Sequence, residues 1–328
     1  MREVRSLMLC MTLAMVTGCD VKSTTTSSAP MEAANAPRTW VATTGHVHDA
    51  LAAITSGTDI KLKLLCGAGV DPHSYSASIN DVQAMQDCGA IFYNGFHLEA
   101  KLHEELEGRF GDKSWAMASA FPESARLDWL EDGQVDPEAP FDPHIWNHLP
   151  GWTKCVQGLI DRVCQIDPAN EMLYRENGAV YVDSLQQLHR DAEAEFAKIP
   201  PARRVLVSAH DAFNYFANVY GFETVAVLGI GNDAEADLRT MRDVAGVVIE
   251  RRVPMIFLET ITNPKVTDAL KEACEAKDWS VQIADRPLYS DDLGSVPPED
   301  TFIGAFRSNV RLISESLKAS PALEEAGT

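Results

Sequence analysis

Three histidines and one aspartate, far apart along the chain, have the residue types and settings of a metal site. His73 lies in the stretch DPHSY, His144 in DPHIW, His210 in SAHDAF and Asp291 in LYSDD. Three neutral imidazoles and one carboxylate suit Zn²⁺ or Mn²⁺ better than Ca²⁺ or Mg²⁺. The tripeptide Asp-Pro-His occurs twice, and its proline stiffens the loop that presents the ligand. These residues therefore predict a site for one divalent transition metal ion.

Strand-like and helical segments alternate along the chain, which predicts an α/β fold with a parallel sheet in each of two lobes. The candidate ligands lie beyond the ends of strand-like segments or in adjoining loops, with predicted strands at 60–65, 204–208 and 279–284. In open α/β sheets, ligands bind outside the carboxyl ends of the strands. Since two candidates come from each half of the chain, we expect the metal site in the cleft between the lobes.

The segment that joins the two halves has helical spacing of its apolar residues. From 169 to 199 it contains one glycine, Gly178, and no proline, whereas Pro168 suits a helix start and two prolines follow residue 199. We predict a single helix of roughly 45 Å that acts as a stiff spine and limits hinge motion. Two shorter helices broken near Gly178 are the alternative. The expected domains are an N-terminal lobe at 38–166, a connecting helix at 167–199 and a C-terminal lobe at 200–320.

The first residues have the pattern of an exported lipoprotein. The chain begins MREVR, continues with the largely apolar SLMLCMTLAMVTG and reaches Cys19. That run is shorter than the roughly 20 residues of a membrane span, and it matches a secretory signal. The stretch VTGC resembles the bacterial lipobox, whose cysteine is acylated. We expect a signal peptide at 1–18, a lipidated Cys19 with a flexible tether at 19–37, and an extracytoplasmic protein anchored to the membrane, in the periplasm or on the outer face of the inner membrane. An ordinary signal peptide with an incidental cysteine is the alternative.

Composition narrows the function classes further. The 328 residues predict about two lobes, and 28 basic against 48 acidic residues give a net charge of −20. So acidic a chain without a basic cluster is not expected to bind nucleic acid. The cysteines beyond Cys19 are odd in number and lack CxxC spacing, which favours buried free thiols, with one disulfide in the first lobe as the alternative. They are Cys66, Cys88, Cys155, Cys164 and Cys274.

Several stretches, in order and spacing, resemble the solute-binding lipoproteins of ABC-type manganese/zinc importers. They are GAGVDPHSY, FYNGFHLE, FDPHIW, PARRVLVSAHDAFNYFANVYGFE and LYSDDLG, within a match from about residue 39 to 317. The resemblance implies two α/β lobes joined by one rigid interlobe helix, with His73, His144, His210 and Asp291 as the ligands of the transported metal. It also implies that the protein captures the metal outside the cytoplasm and delivers it to a membrane permease of an ABC importer. We expect a monomer.

Features around the ligands bear on the choice of metal. His210 stands where many manganese binders of this family have glutamate, while the acidic loop 121–143 lacks the histidines of many zinc-dedicated members. The ligand set favours zinc, with manganese or iron as alternatives. Glu259, at the end of a predicted strand, is a candidate hydrogen-bond acceptor for a ligand imidazole, the alternative being a surface or capping role. His46 and His48 are expected to be solvent-exposed, with a weak second metal contact as the alternative.

Two other function classes are alternatives. A zinc-dependent hydrolase needs an open coordination position for water, but Asp291 would fill it, and Glu259 is the evident candidate for a general base. The sequence also lacks HExxH. A mainly adhesive role is the second alternative, although the sequence contains no separate adhesive module or repeat. We therefore expect a binding protein rather than an enzyme.

Overall fold

The computed structural model describes residues 38–318, apart from 132–133, 136, 138 and 231–237. The expected signal peptide, Cys19 and the tether lie outside the described residues, as do residues 319 and 320 of the expected C-terminal lobe. Among the helices that the structure describes, none is both long enough and apolar enough to cross a bilayer.

Four parallel strands form the N-terminal sheet, in the spatial order β2-β1-β3-β4. The strands are β1 (Thr39–Thr44), β2 (Lys61–Cys66), β3 (Ala90–Tyr93) and β4 (Ser114–Ala116), and the first two crossovers contain α1 (Gly45–Thr55) and α2 (Ile79–Asp87). The central strand β1 is buried from Trp40 to its end because helices cover both faces of the sheet. Parallel sheets covered in this way have nearly continuous apolar strands, as in the sequence AIFY of β3, which is buried throughout.

The acidic loop before the second Asp-Pro-His tripeptide contains a small antiparallel hairpin that the sequence analysis did not anticipate. Its strands are β5 (Leu130–Glu131) and β6 (Gln134–Val135). After the tripeptide, α3 (Leu149–Ile166) runs for 18 residues and buries one face. This helix was also missed. His148 caps it, since the ring Nδ1 accepts a hydrogen bond from the backbone N–H of Gly151 at 2.9 Å.

The connecting helix is α4 (Glu171–Phe196), whose 26 residues correspond to about 39 Å. It is shorter than the predicted 169–199 because Pro168–Asn170 form a 3₁₀ turn before it and because the helix ends at Phe196. The helix is unbroken at Gly178, which contradicts the alternative of two helices. A Cβ at that position would lie 2.4 Å from Cδ1 of Ile160 on α3, so the glycine allows the two helices to approach closely.

The C-terminal sheet repeats the strand order of the N-terminal one. Strand β7 (Val205–Ser208) pairs with β8 (Glu223–Ala226), and β9 (Met255–Ile256) pairs with β10 (Gln282–Ile283), all in parallel. The backbone N–H of Phe257 donates to the carbonyl oxygen of Val207 at 2.8 Å and so joins the two pairs. The spatial order is therefore β8-β7-β9-β10. As in the N-terminal sheet, the lobe's second strand in sequence lies at one edge and is followed by its first, third and fourth strands. The helices of this half are α5 (Asn214–Tyr220), α6 (Leu238–Glu250), α7 (Pro264–Glu275) and α8 (Phe302–Lys318).

The largest buried apolar cluster belongs to both lobes. It runs from Trp40 on β1 through Trp152 on α3 and Leu185 on α4 to Phe216 on α5 and Phe306 on α8. Two smaller clusters lie elsewhere, one on the other face of the N-terminal sheet and one between the C-terminal sheet and helices α6 and α7. The lobes thus share one core around the connecting helix, which restricts their motion relative to each other.

The five cysteines of the described residues are buried free thiols, as the sequence favoured: Cys66, Cys88, Cys155, Cys164 and Cys274. Burial raises the pKa of each thiol. They therefore contribute to packing as small apolar side chains.

Candidate metal centre

The structure brings together the four side chains that the sequence singled out. His73, His144, His210 and Asp291 each offer one ligand atom, and these atoms all lie within 4.8 Å of one another. All four residues are buried, and His73 is the most exposed of them at 7%. Two come from N-terminal loops and two from C-terminal loops, so the group lies where the carboxyl ends of both sheets face each other.

Four of the separations within this group are close to those of a four-coordinate metal site. Oδ2 of Asp291 lies 3.1 Å from Nε2 of His210 and 3.3 Å from Nε2 of His73. Oδ1 of Asp291 lies 3.4 Å from Nε2 of His144, and the Nε2 atoms of His73 and His144 are 3.3 Å apart. Ligands placed tetrahedrally at about 2.0–2.1 Å from Zn²⁺ are about 3.3–3.4 Å from one another. The four side chains could therefore hold one metal ion.

The carboxylate of Asp291 lacks ordinary hydrogen bonds. Both of its oxygens are buried, and neither receives a well-directed hydrogen bond from the described residues. Buried carboxylate oxygens are normally paired, because leaving them unpaired costs free energy. A cation between Asp291 and the three imidazoles would pair with the carboxylate and with the facing nitrogens together.

Each Asp-Pro-His tripeptide forms the same local turn. Oδ1 of Asp71 accepts a hydrogen bond from the backbone N–H of His73 at 2.9 Å, and Oδ1 of Asp142 does the same for His144 at 2.9 Å. Aspartate commonly bonds to the backbone two residues later in this way. The aspartate of each tripeptide therefore fixes the ligand's backbone, a role that the sequence analysis gave to the proline alone.

Asp142 also orients the ring of His144. Its Oδ1 lies 2.8 Å from Nδ1 of His144, and its Oδ2 accepts from Nδ2 of Asn214 at 3.1 Å. A partner on Nδ1 directs Nε2 towards the other ligands. Burial lowers the pKa of His144, but the carboxylates of Asp142 and Asp291 outweigh it, so the net pKa lies above its ordinary value.

Glu259 lies beside Nδ1 of His210, as Asp142 lies beside Nδ1 of His144. Its Oε1 accepts hydrogen bonds from the backbone N–H groups of Ala209 at 2.7 Å and His210 at 3.0 Å, and its Oε2 contacts Nδ1 of His210. Burial lowers the pKa of His210, yet Glu259 and Asp291 raise it well above its usual value. For the acidic Asp291, burial acts in the opposite direction and raises the pKa. The imidazoles of His210 and His144 outweigh burial and hold the pKa of Asp291 well below its usual value.

Sequence reasoning missed several side chains that hold the ligand loops. Nδ2 of Asn94, just after β3, donates to the carbonyl oxygen of Pro143 at 2.8 Å and fixes the loop of His144. Nε1 of Trp146 donates to the carbonyl oxygen of Ser290 at 2.8 Å, and Nδ2 of Asn147 donates to that of Ala212 at 2.9 Å. Asn94 and Trp146 lie in FYNGFHLE and FDPHIW, but nothing in the local pattern indicates their long-range partners.

The expectation of solvent exposure was wrong for His46. It lies on α1, which begins at Gly45 because the side chain of Thr44 caps the helix. His46 is 2% exposed and its ring stacks on Trp146 with centroids 4.5 Å apart. Burial lowers the pKa of His46 to about 3. It therefore packs behind the ligand loops and is outside the four-residue cluster, while His48 is half-buried.

Sequence comparison places this geometry among known proteins. The family described as zinc-uptake complex component A, periplasmic (ZnuA), matches residues 41–316. Zinc-binding protein TroA of Treponema pallidum is 35% identical over 279 residues, which cover 84% of this chain and 88% of TroA. Manganese-binding lipoprotein MntA of Bacillus subtilis is 34% identical over 280 residues, covering 84% of this chain and 89% of MntA.

Solved structures agree with the sequence relatives. The periplasmic zinc-binding protein TroA from Treponema pallidum superposes with a TM-score of 0.80 at 34% identity, covering 86% of this chain and 99% of that one. Fe(III)-bound YtgA from Chlamydia trachomatis gives 0.75 at 26% identity, covering 87% and 99%. The two-lobe α/β fold with its long helix is thus the fold of TroA-like structures. The chain is similar to TroA and MntA, and it belongs to the ZnuA family of periplasmic metal-binding proteins.

Proposed function

We propose that this protein captures a divalent transition metal, zinc or manganese, outside the cytoplasm and delivers it to the membrane permease of an ABC importer. His73, His144, His210 and Asp291 are the proposed ligands of the transported ion. The observation that carries the proposal is their convergence in one buried cluster, with ligand atoms within 4.8 Å of one another. Family membership supports the same function, since the relatives named above are metal-binding proteins by description.

The arrangement suits holding an ion rather than using it in catalysis. Four protein ligands fill a tetrahedral site, whereas catalytic zinc sites keep one position open for water. The hydrolase alternative also needs Glu259 as a general base. One oxygen of that carboxylate accepts hydrogen bonds from two backbone N–H groups, and the other contacts the ring of His210. We therefore propose a binding function without enzymatic activity.

The donor set supports zinc over manganese in our proposal. Three nitrogens and one oxygen match the ligands that Zn²⁺ prefers, and Zn²⁺ lies above Mn²⁺ in the general affinity order. Similarity to known proteins does not distinguish between the metals, because the descriptions of the relatives name zinc, manganese and Fe(III). The acylation of Cys19, the tether at 19–37 and a monomeric state belong to the proposal, as do the boundaries at 38–166, 167–199 and 200–320.

The test is a titration of chelator-treated full-length protein with Zn²⁺ and, separately, Mn²⁺, with the melting temperature as readout. A ligand at a thousand times its Kd stabilises the folded state by about 4 kcal/mol, so a tight site gives a rise of several degrees. His73→Ala should remove the rise. His103→Ala, at a histidine whose side chain is 46% exposed, is the matched control and should keep it. No rise with either metal in the wild-type protein would refute the proposal.

A further inference from the structure

The segment that carries Asp291 is hydrogen-bonded to the N-terminal lobe on both sides of that residue. On one side, the carbonyl oxygen of Ser290 accepts from Nε1 of Trp146 at 2.8 Å. On the other, Oδ2 of Asp292 accepts from the backbone N–H of Gly69 at 2.7 Å. Trp146 follows His144, and Gly69 precedes His73 in its loop. Each N-terminal ligand loop therefore bonds directly to a neighbour of the carboxylate ligand.

Asp292 makes a second contact that extends this connection. Its Oδ1 accepts a hydrogen bond from Oγ1 of Thr260, which follows Glu259, the partner of His210. Asp292 itself is 4% exposed and is outside the four-residue cluster. One carboxylate that is not a ligand thus joins the loops that carry or support three of the four candidate ligands.

The cross-lobe hydrogen bonds of Ser290 and Asp292 lie in different surroundings. Trp146 is 1% exposed and belongs to the core that the lobes share, so breaking its bond would disturb close packing. Gly69 is exposed, with no atom within 4 Å of the place where a Cβ would lie. The ligand in its loop, His73, is the most exposed of the four. The Gly69–Asp292 bond is therefore partly buried, whereas the Trp146–Ser290 bond is buried.

Exchange of a buried metal ion requires that part of its surroundings moves. The candidate ligands are 0–7% exposed, so an ion cannot leave them without displacement of a covering loop. Displacement of the loop of His73 breaks the Gly69–Asp292 hydrogen bond, whereas the Trp146 side is fixed by the shared core. We propose that Asp292 is a positioning residue whose bonds to Gly69 and Thr260 hold the loop of His73 closed and slow the exchange of bound metal. This inference rests on the proposed metal-binding function.

The test compares two substitutions that remove the same charge. Full-length protein loaded with Zn²⁺ is mixed with excess chelator, and the rate of metal release is followed by stopped flow. Asp292→Ala removes both acceptors, and we expect release about tenfold faster or more, as for a lost hydrogen bond to a charged group. Asp292→Asn keeps an oxygen for the N–H of Gly69 and an amide that can donate to Thr260, and we expect release within about threefold of wild type.

Controls separate the possible failures. Asp285→Asn removes one charge from an 84% exposed side chain of the same lobe and should leave the rate unchanged. If Asp292→Ala does not fold, as judged from the melting temperature of the metal-free protein, Thr260→Val removes one donor and should still speed release. Equal release rates for wild type and Asp292→Ala would overturn the inference. Release from Asp292→Asn that is as fast as release from Asp292→Ala would also overturn it. Failure of the wild-type protein to bind Zn²⁺ or Mn²⁺ would instead overturn the proposed function.

Discussion

The two lobes share one strand order but support their candidate ligands by different means. In the N-terminal lobe, His73 and His144 are each fixed by an aspartate two residues earlier in the same loop. In the C-terminal lobe, His210 is held by Glu259, 49 residues away. Asp291 lies between residues that bond to the other lobe. N-terminal support is therefore largely local, whereas C-terminal support depends on the completed fold.

This difference indicates how much of each ligand's support depends on the completed fold. An aspartate turn forms within its own loop, so the backbones of His73 and His144 are each fixed by a local hydrogen bond. The C-terminal ligands reach their positions only when β7, β9 and the opposite lobe are all in place. Four changes, to the ligands, the pH, the supporting carboxylates and the shared core, test this contrast.

The largest effect should come from removing a ligand, and it should not distinguish the lobes. In our proposal, His144→Ala and Asp291→Ala each leave an incomplete coordination sphere around the ion. We expect each to weaken Zn²⁺ binding by more than the roughly 10- to 100-fold typical of residues behind the ligands. Competition with a fluorescent chelator measures the Kd. Near-wild-type affinity in either variant would show that the ion binds elsewhere.

Acidity should act next, and through His210 before His144. Protons compete with the metal for imidazole, and nearby carboxylates raise the pKa of His144 and raise that of His210 well above the usual 6.5. Metal affinity should therefore fall as pH decreases from 8 to about 5.5. In the metal-free protein, this charge pairing stabilises the fold fully below about pH 6.5 and is lost as pH rises through the raised pKa values.

Histidine NMR titration of the metal-free protein tests this order directly. We expect His210 to keep its proton to a higher pH than His144, because its two carboxylate contacts are the closer ones. Asp291 lies 3.1 Å from Nε2 of His210 and 3.4 Å from Nε2 of His144, and Glu259 lies closer to Nδ1 of His210 than Asp142, at 2.8 Å, lies to Nδ1 of His144. The metal-induced rise in melting temperature should grow with pH over the same range. An affinity that did not change with pH would contradict direct coordination by the imidazoles.

Substitution of the two supporting carboxylates compares the lobes most directly. Both Glu259→Gln and Asp142→Asn keep the shape but lose the charge beside a ligand imidazole. Glu259→Gln also disturbs contacts with two backbone N–H groups of a distant segment, whereas Asp142→Asn disturbs one within its own loop. Loss of such partners typically costs about 10- to 100-fold in metal affinity. We expect Glu259→Gln near the upper end and Asp142→Asn near the lower end, measured by the same competition assay. The reverse order would refute the contrast between local and long-range support.

The smallest effect on metal affinity should come from the core that the lobes share. Gly178→Ala places a Cβ 2.4 Å from Cδ1 of Ile160, so we expect a loss of about 1–3 kcal/mol in the free energy of unfolding. Ile160→Val removes that Cδ1 and should restore part of the loss in the double variant. Urea denaturation measures both, and metal affinity should stay unchanged. A change in affinity would show that helix packing reaches the ligands.

The sequence predicted those parts of the molecule that rest on local pattern. The α/β class, the unbroken connecting helix and the convergence of His73, His144, His210 and Asp291 followed from alternation, proline positions and residue types. The burial of His46 did not, because it depends on a ring stack with Trp146, 100 residues away. Helix α3 was not predicted, although its proline and glycine, Pro150 and Gly151, both lie in its first turn, where proline is tolerated.

The contacts that hold the cleft were least accessible to sequence reasoning. Asn94, Trp146 and Asp292 are ordinary polar or aromatic residues in loops, and their partners lie 49, 144 and 223 residues away. No periodicity or spacing encodes such pairs. They become apparent only when the sheets face each other.

The cluster that extends from Trp40 on β1 to Phe306 on α8 also bears on how the chain unfolds. Melting either half alone would leave the apolar surface of the other facing water, at about 25 cal/mol for each Å² exposed. Calorimetry should accordingly record one cooperative heat-absorption peak for residues 38–318. A chain cut after residue 199 should yield two fragments that fail to fold separately.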